Sequence, residues 1–282
     1  MRPVATDPPS LRNDIRRGGL GGGGVPPISD GDLARALLHA PGATHAVARL
    51  SRFGTLRDDE RAVLEDATTN ERRVEQREVV YERDGAATAP LLVLGGALRE
   101  YFIDAEGRIQ TVAVRLPGDL VGTEALWSGR HGFDLTALTP SRVAPALFLT
   151  GKDARAARLA RVFGVLQLVE EAMLKDRVRL LGRGRAEERL LHLFVEMNRR
   201  QRALVDGVGD RAWMPLSQTE IANATGLTNV YVSKTMTRLR ERAVIAVDGD
   251  IVTLADPEET ATDVDFVDHF ERAREPLAMP AG

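Results

Sequence analysis

The stretch SQTEIANATGLTNVYVSKTMTRLR, from Ser217 to Arg240, permits very few backbones. Ser217 and Glu220 stand in the Ser-x-x-Glu relation of a capping box, in which the hydroxyl accepts from the third helical N–H and the carboxylate reaches back. A helix therefore starts at Ser217. Gly226 follows where the chain must turn, and a glycine takes positive φ there without steric cost. Thr228 is then a good cap for a second helix. Two helices crossing at a tight turn need a small residue at the crossing and an apolar one to seat the second helix; Ala222, Gly226 and Val232 occupy those places. Downstream, AVIAVDGDIVTLAD sets two β-prone segments around Asp248-Gly249, a type I′ hairpin signal. A helix-turn-helix followed by a hairpin is a winged helix.

The rest of the chain changes character several times. Residues 1–45 contain a Gly/Pro-rich run, RRGGLGGGGVPP, too poor in apolar surface to offset its ordering entropy, and are expected to be a flexible tail. The run lacks the Gly-Lys-Ser/Thr of a phosphate loop. From Ala46 a helical pattern carries Asp58, Asp59 and Glu60 where a first turn favours negative charge. Short apolar segments broken by turn residues, with one turn at Glu106-Gly107, then predict an antiparallel sandwich or jelly roll up to residue 152.

Between 153 and 183 the period becomes helical. Leu159, Val162, Phe163, Leu166, Val169 and Met173 recur every three or four residues, and a helix this long is expected to pair that stripe with a second copy of itself. Packing on its own sandwich is the other use of the stripe. Gly182 to Arg185 reads as a hinge. An apolar helical face at Leu190, Leu191, Phe194, Val195 and Met197 opens the winged-helix domain, 184–256, and a tail, 257–282, with a short helix expected around Val264 to Ala273, ends the chain. The fold class is α+β.

A net charge of -3 gives no chain-wide basic signal, so nucleic-acid binding must rest on local charge. The absence of cysteine excludes disulfides and thiolate-held iron–sulfur clusters. No apolar run is long enough to span a bilayer, and the expected location is the cytoplasm.

The order of parts over residues 46–256 resembles the Crp/Fnr family of bacterial transcription regulators, most specifically in MPLSQTEIANATGLTNVYVSKTMTRLRERAVIAVDGDIVTL and in LPGDLVGTEAL. The resemblance implies a cyclic-nucleotide-binding-like jelly-roll sensor, a dimerising helix and a DNA-reading winged helix. It places Asn229, Val230, Ser233 and Lys234 where the family presents base-reading residues. Thr228, Tyr231, Ser217, Thr219, Arg238 and Arg240 are candidate phosphate partners, with Arg242 continuing the basic run. Well-known members carry an acidic residue where Val230 stands, so their operators do not transfer.

Family members that bind cyclic AMP use a Gly-Glu pair and then an Arg-Ser pair. Here Gly122 precedes Thr123, Glu124 comes one place late, and Gly132 and Phe133 stand near the Arg-Ser position. Cyclic AMP is disfavoured, although Arg130 could supply the guanidinium from a shifted register. His39, His45 and His131 are isolated and read as surface or loop histidines rather than haem ligands. No cofactor is expected, and an unidentified small-molecule effector stays open. Asp119, Glu124 and His131 have acid–base character but no accompanying nucleophile, so no enzyme is expected; Asp119 reads as a turn residue. The expected partners are double-stranded DNA, a second copy and RNA polymerase, with no membrane. The alternative is a protein-interaction module using the long helix and the winged helix without a specific operator.

Overall fold

A computed structural model describes residues 26–87 and 89–273. The first 25 residues of the expected tail lie outside it. The remainder of that segment is not a tail. Helix α1 (Asp30–His39) is capped by Ser29, whose hydroxyl accepts from the Asp32 N–H at 3.2 Å, and buries Leu33 and Leu37 completely. Their spacing of four puts both on one face. Helix α2 (Thr44–Leu50) and a 3₁₀ turn at Ser51–Phe53 lead to α3 (Asp58–Ala67), which carries three carboxylates in its first turn.

Eight strands then form two antiparallel four-stranded sheets. They are β1 (Arg72–Val74), β2 (Val79–Tyr81), β3 (Leu91–Gly95), β4 (Leu98–Ile103), β5 (Ile109–Arg115), β6 (Leu120–Val121), β7 (Asp134–Ala137) and β8 (Ser141–Pro145). The sheet orders are β1-β8-β3-β6 and β2-β7-β4-β5. The Glu106-Gly107 turn joins β4 to β5, whose ends pair Ile103 with Ile109, and Gly107 takes φ +78. Strand β3 is buried on both faces: Val93 points into the sandwich with Leu98, Leu135 and Val143, while Leu92 and Leu94 face a helical layer. That double burial explains the unbroken apolar run LLVL, which lacks the alternation of a half-exposed strand.

Helix α4 (Ala154–Arg183) closes that layer. Asp153 caps it, accepting from the Ala156 N–H at 2.8 Å. The stripe expected to meet a second chain faces inward instead. Leu159, Phe163, Leu166 and Val169 are buried against α2, α3 and the outer face of β3, with Val162 and Met173 packed beside them. The sandwich has an apolar outer face of its own, and α4 is the element that covers it. The helix leaves a different row outside: Leu168, Leu174 and Val178 are 65%, 43% and 62% exposed.

Gly184 and Arg185 separate α4 from α5 (Ala186–Arg202). Strand β9 (Arg211–Trp213), helices α6 (Gln218–Thr225) and α7 (Asn229–Glu241), and strands β10 (Ile245–Asp248) and β11 (Ile251–Leu254) complete the winged helix. Its sheet has the order β10-β11-β9. The wing pairs Asp248 with Ile251, so the two-residue loop is Gly249-Asp250, one place later than expected. Gly249 takes φ +56 and Asp250 does not have positive φ, which departs from a type I′ turn. The tail continues into α8 (Pro257–Asp263) and α9 (His269–Arg272), so the short helix expected from Val264 begins only at His269. Residues 274–282 lie outside the described residues.

Candidate nucleic-acid interface

The α6–turn–α7 unit is fixed by local chemistry. The Ser217 hydroxyl accepts from the Glu220 N–H at 3.3 Å, and Glu220 returns by accepting from the Ser217 N–H at 2.7 Å. Gly226 ends α6 at φ +63, and a methyl group there would stand 3.0 Å from the Leu181 side chain. Thr228 caps α7 by accepting from the Tyr231 N–H at 3.3 Å. Ala222 and Val232 are buried at the crossing.

Helix α7 therefore sorts its residues by face. Val232, Thr235, Met236 and Leu239 go inward. Asn229, Val230, Tyr231, Ser233, Lys234, Arg238 and Arg240 are all exposed, Val230 and Tyr231 by 61% and 59%. Val230 is thus free to make its contacts outside the protomer. Ser217 and Thr219 lie exposed at the start of α6, and the Asn229 amide donates to the Thr219 hydroxyl at 3.1 Å, which ties the two helix starts together. One further residue shares this surface. Thr237 is exposed three residues beyond Lys234 and its hydroxyl accepts from Arg240 at 3.4 Å. Helical spacing from Val230 and Lys234 would have named it. Arg242 is drawn aside by Glu187 at 2.7 Å, and with Arg185 and Arg238 it lines a cleft of about 520 Å³ beside α5.

The face is a rod of amide, hydroxyl, methyl and cationic groups with one acidic neighbour, Glu241. Groups of this kind read base edges in a major groove and hold the flanking phosphates.

The sandwich interior is arranged differently. Gly122, at φ +68, opens a 3₁₀ turn, Thr123–Leu126, and a Cβ there would stand 3.2 Å from the His131 ring. His131 is buried and stacks on Tyr81, with ring centroids 3.6 Å apart and planes 2° from parallel. Glu124 accepts from the Gly132 N–H at 2.9 Å and lies 3.7 Å from His131 Nδ1. Burial, with Glu100 beside it, pushes the Tyr81 hydroxyl well above its ordinary range, so it is a neutral donor. Arg130 is exposed and donates to the Asp84 carbonyl at 2.7 Å. The surface reading fails for two histidines: His131 is the stacked ring, and His45 is buried, with its Nε2 2.9 Å from the Ala36 carbonyl. His39 is exposed at the end of α1. Among the described residues no three His, Cys, Asp or Glu side chains are grouped to hold a metal.

Between the domains runs a buried charge network that the sequence did not announce. Asp119 is indeed a turn residue, accepting from the Leu116 N–H at 2.8 Å beside Gly118 at φ +87. It is also fully buried, 3.0 Å from Arg49 and 2.5 Å from Arg200 of α5. Burial pulls Arg49 down to about 10 against the opposing pull of Asp119. Glu196 receives Arg177 at 3.1 Å and Arg200 at 3.3 Å; burial alone would raise it, but the two guanidiniums outweigh that and hold it below the usual carboxylate range.

Residues 188–259 match the family model of the Crp-like helix-turn-helix domain. The nitrogen fixation regulation protein FixK of Bradyrhizobium diazoefficiens is 33% identical over 183 residues, 64% of this chain and 76% of that one. The fumarate and nitrate reduction regulatory protein of Salmonella typhimurium is 26% identical over 212 residues, covering 73% of this chain and 83% of its own. Among solved structures, FixK2 from Bradyrhizobium japonicum superposes with a TM-score of 0.58 at 28% identity, over 68% of this chain and 95% of that one. The helix-turn-helix model covers α6, α7 and both strands of the wing. The chain belongs to the Crp/Fnr family of transcription regulators.

Proposed function

We propose that two copies of this DNA-binding transcription regulator place their α7 helices in successive major grooves of an inverted-repeat site. The observation that carries this reading is the sorted face of α7: its apolar residues are buried, and what remains outside is Asn229, Val230, Ser233, Lys234 and the arginines. Asn229 suits adenine, Lys234 suits guanine or a phosphate, and Val230 suits a thymine methyl. Ser217, Thr219, Thr228, Tyr231, Thr237, Arg238 and Arg240 surround them as phosphate partners.

The dimer is assigned to the outward row of α4. Val165, Leu168, Ala172, Lys175 and Val178 follow at steps of three, four, three and three, an exposed or half-exposed row with one cation that a second α4 can cover. Two-fold symmetry then makes the site an inverted repeat with half-sites about 34–36 Å apart.

Control by cyclic AMP does not fit this interior. Glu124 is engaged with Gly132 and His131, Arg130 turns outward to Asp84, and the Tyr81–His131 stack fills the space beside Gly122. The acid–base trio of the sequence serves packing and ion pairing, which supports a regulator without chemistry of its own. No helix among the described residues is long and apolar enough to cross a membrane, and the cytoplasm, with RNA polymerase as the eventual responder, is the setting proposed.

Selection of the purified full-length chain against random duplex DNA, at fixed moderate salt and without added ligand, tests the reading. An inverted repeat bound at least about 10³-fold more tightly than random DNA is the expected result. Enrichment of no site, or of an asymmetric one, would overturn it.

A further inference from the structure

Both ends of the described chain cross from one domain to the other. Helix α1 precedes the sandwich in sequence, yet Leu33 and Leu37 are buried in an apolar cluster that spans both domains, with Ala97, Leu116 and Leu138 of the sandwich and Phe194, Met214 and Ile251 of the winged helix. The Ile28 N–H donates to the Gly207 carbonyl at 3.1 Å, and Asp30 pairs with Arg211 at 3.0 Å. The far end of α1 stays on the sandwich, where the Gly96 N–H donates to the Leu37 carbonyl at 2.9 Å. Helix α9 makes the reverse crossing. It follows the winged helix, yet Phe270 is buried in the helical layer of the sandwich domain, its ring 6.2 Å from Phe53 and 5.3 Å from the Arg49 guanidinium. Glu271 pairs with Arg52 at 2.8 Å, and His269 meets Asp176 of α4 at 2.7 Å.

These crossings bracket the Gly182–Arg185 junction, the place where the chain is most easily bent. A junction spanned only by one helix end would let the winged helix swing; here the two straps add to direct contacts of the domains, in which Arg200 donates to the Val114 carbonyl at 2.8 Å and pairs with Asp119, and Gln110 donates to the Asn223 carbonyl at 2.8 Å. The α7 face is nevertheless left open, with Val230 and Tyr231 more than half exposed. The space beside Gly122 is occupied by the protein's own Tyr81 and His131. We infer that α1 and α9 are reciprocal straps that fasten the winged helix to the sandwich domain and set, without a bound effector, the arrangement in which the two α7 helices of a dimer reach both half-sites. The DNA part of this inference rests on the dimeric reading above; the fastening does not.

The test uses the full-length chain and its Phe270→Ala variant in two assays. The first is the rate of tryptic cleavage after Arg183 or Arg185, which requires local opening of the junction. The second is the ratio of affinities for the selected full site and a duplex carrying one half-site. Phe270→Ala should raise the cleavage rate at least about tenfold and reduce the full-to-half ratio at least about fivefold while leaving half-site affinity unchanged, since a loosened domain loses effective concentration rather than recognition. Phe270→Leu, which refills the volume, should restore most of both. Unchanged cleavage would overturn the fastening. A rise in full-site affinity would show that the straps hold the domains apart from DNA and would overturn the role assigned to them. Should Phe270→Ala fail to fold, a chain ending at Phe266 removes α9 and is read in the same two assays. If the unaltered chain shows no preference for the full site, the dimeric reading fails while the cleavage assay still decides on the straps.

Discussion

Asp119→Asn should be among the most damaging conservative substitutions in this molecule. The carboxylate is fully buried and stands 3.0 Å from Arg49 and 2.5 Å from Arg200, which are themselves 0% and 6% exposed at their side chains. Asparagine keeps the shape and one acceptor for the Leu116 N–H. It removes the negative charge in direct contact with both, and two buried guanidiniums are left facing each other with Glu196, 3.3 Å from Arg200, and the more distant Glu170 to offset them. Removing one partner of a buried ion pair costs about 3–5 kcal/mol, because the cost is that of the uncompensated charge and not the value of the contact. For a folded unit of this size about 2–4 °C of melting temperature is lost per kcal/mol, giving a fall of roughly 6–20 °C. Urea unfolding followed through Trp213, which is buried on β9, together with a calorimetric melt, measures both quantities. The cycle with Arg49→Met then isolates the pair: the double variant should be at least about 1 kcal/mol more stable than the two single losses add up to. A loss below about 1 kcal/mol for Asp119→Asn would refute the argument, since it would mean that the guanidiniums never depended on this carboxylate.

Leu168→Glu should convert the dimer to monomers in sedimentation without lowering the melting temperature, because Leu168 is 65% exposed; a persistent dimer would remove the outward row of α4 from the interface. Leu166→Asp, two residues earlier and fully buried, should instead unfold the protomer. Lys234→Ala should weaken binding to the selected site by about 1–3 kcal/mol, and an unchanged titration would take Lys234 off the reading face. Burial holds His45 and His192 below 6.5 in the folded protein, so their contribution to stability is complete above pH 6.5 and is lost as the pH falls through their folded values. Glu196 adds a second loss below pH 4.5. The urea midpoint should therefore fall on acidification from pH 7.5, and His45→Gln should flatten the first part of that fall; a midpoint constant down to pH 5 would contradict it.

Local signals were the legible ones. Ser217, Gly226 and Thr228 act within a few residues of themselves, and the sequence placed both helices and the turn correctly. The face of α7 followed from them. Errors arose where a residue's partner lies far away in sequence. An amphipathic stripe shows that a helix has a covered side but not what covers it, so helix length alone assigns Leu159, Phe163 and Leu166 to a second chain, whereas they pack on the sandwich. Asp119 looked like any turn residue because Arg200 is remote from it in the chain. Helix α1 is a different case. Ser29, Leu33 and Leu37 carry an ordinary cap and an ordinary spacing, but they adjoin a glycine run whose composition dominated the reading of the whole segment.

The position of α1 also imposes an order on synthesis. The cluster around its apolar face is complete only when Phe194 and Ile251 join the sandwich residues, and Gly207, the backbone partner of Ile28 just before α1, is made about 180 residues after it. At a ribosomal rate of roughly 5–20 residues per second, Leu33 and Leu37 wait on the order of ten seconds or more with only the sandwich side of their cluster, such as Ala97 and Leu116, to pack against. During that interval the nascent chain presents a short amphipathic helix whose apolar face is only half covered. The winged helix is therefore what completes the burial of a helix made well before it.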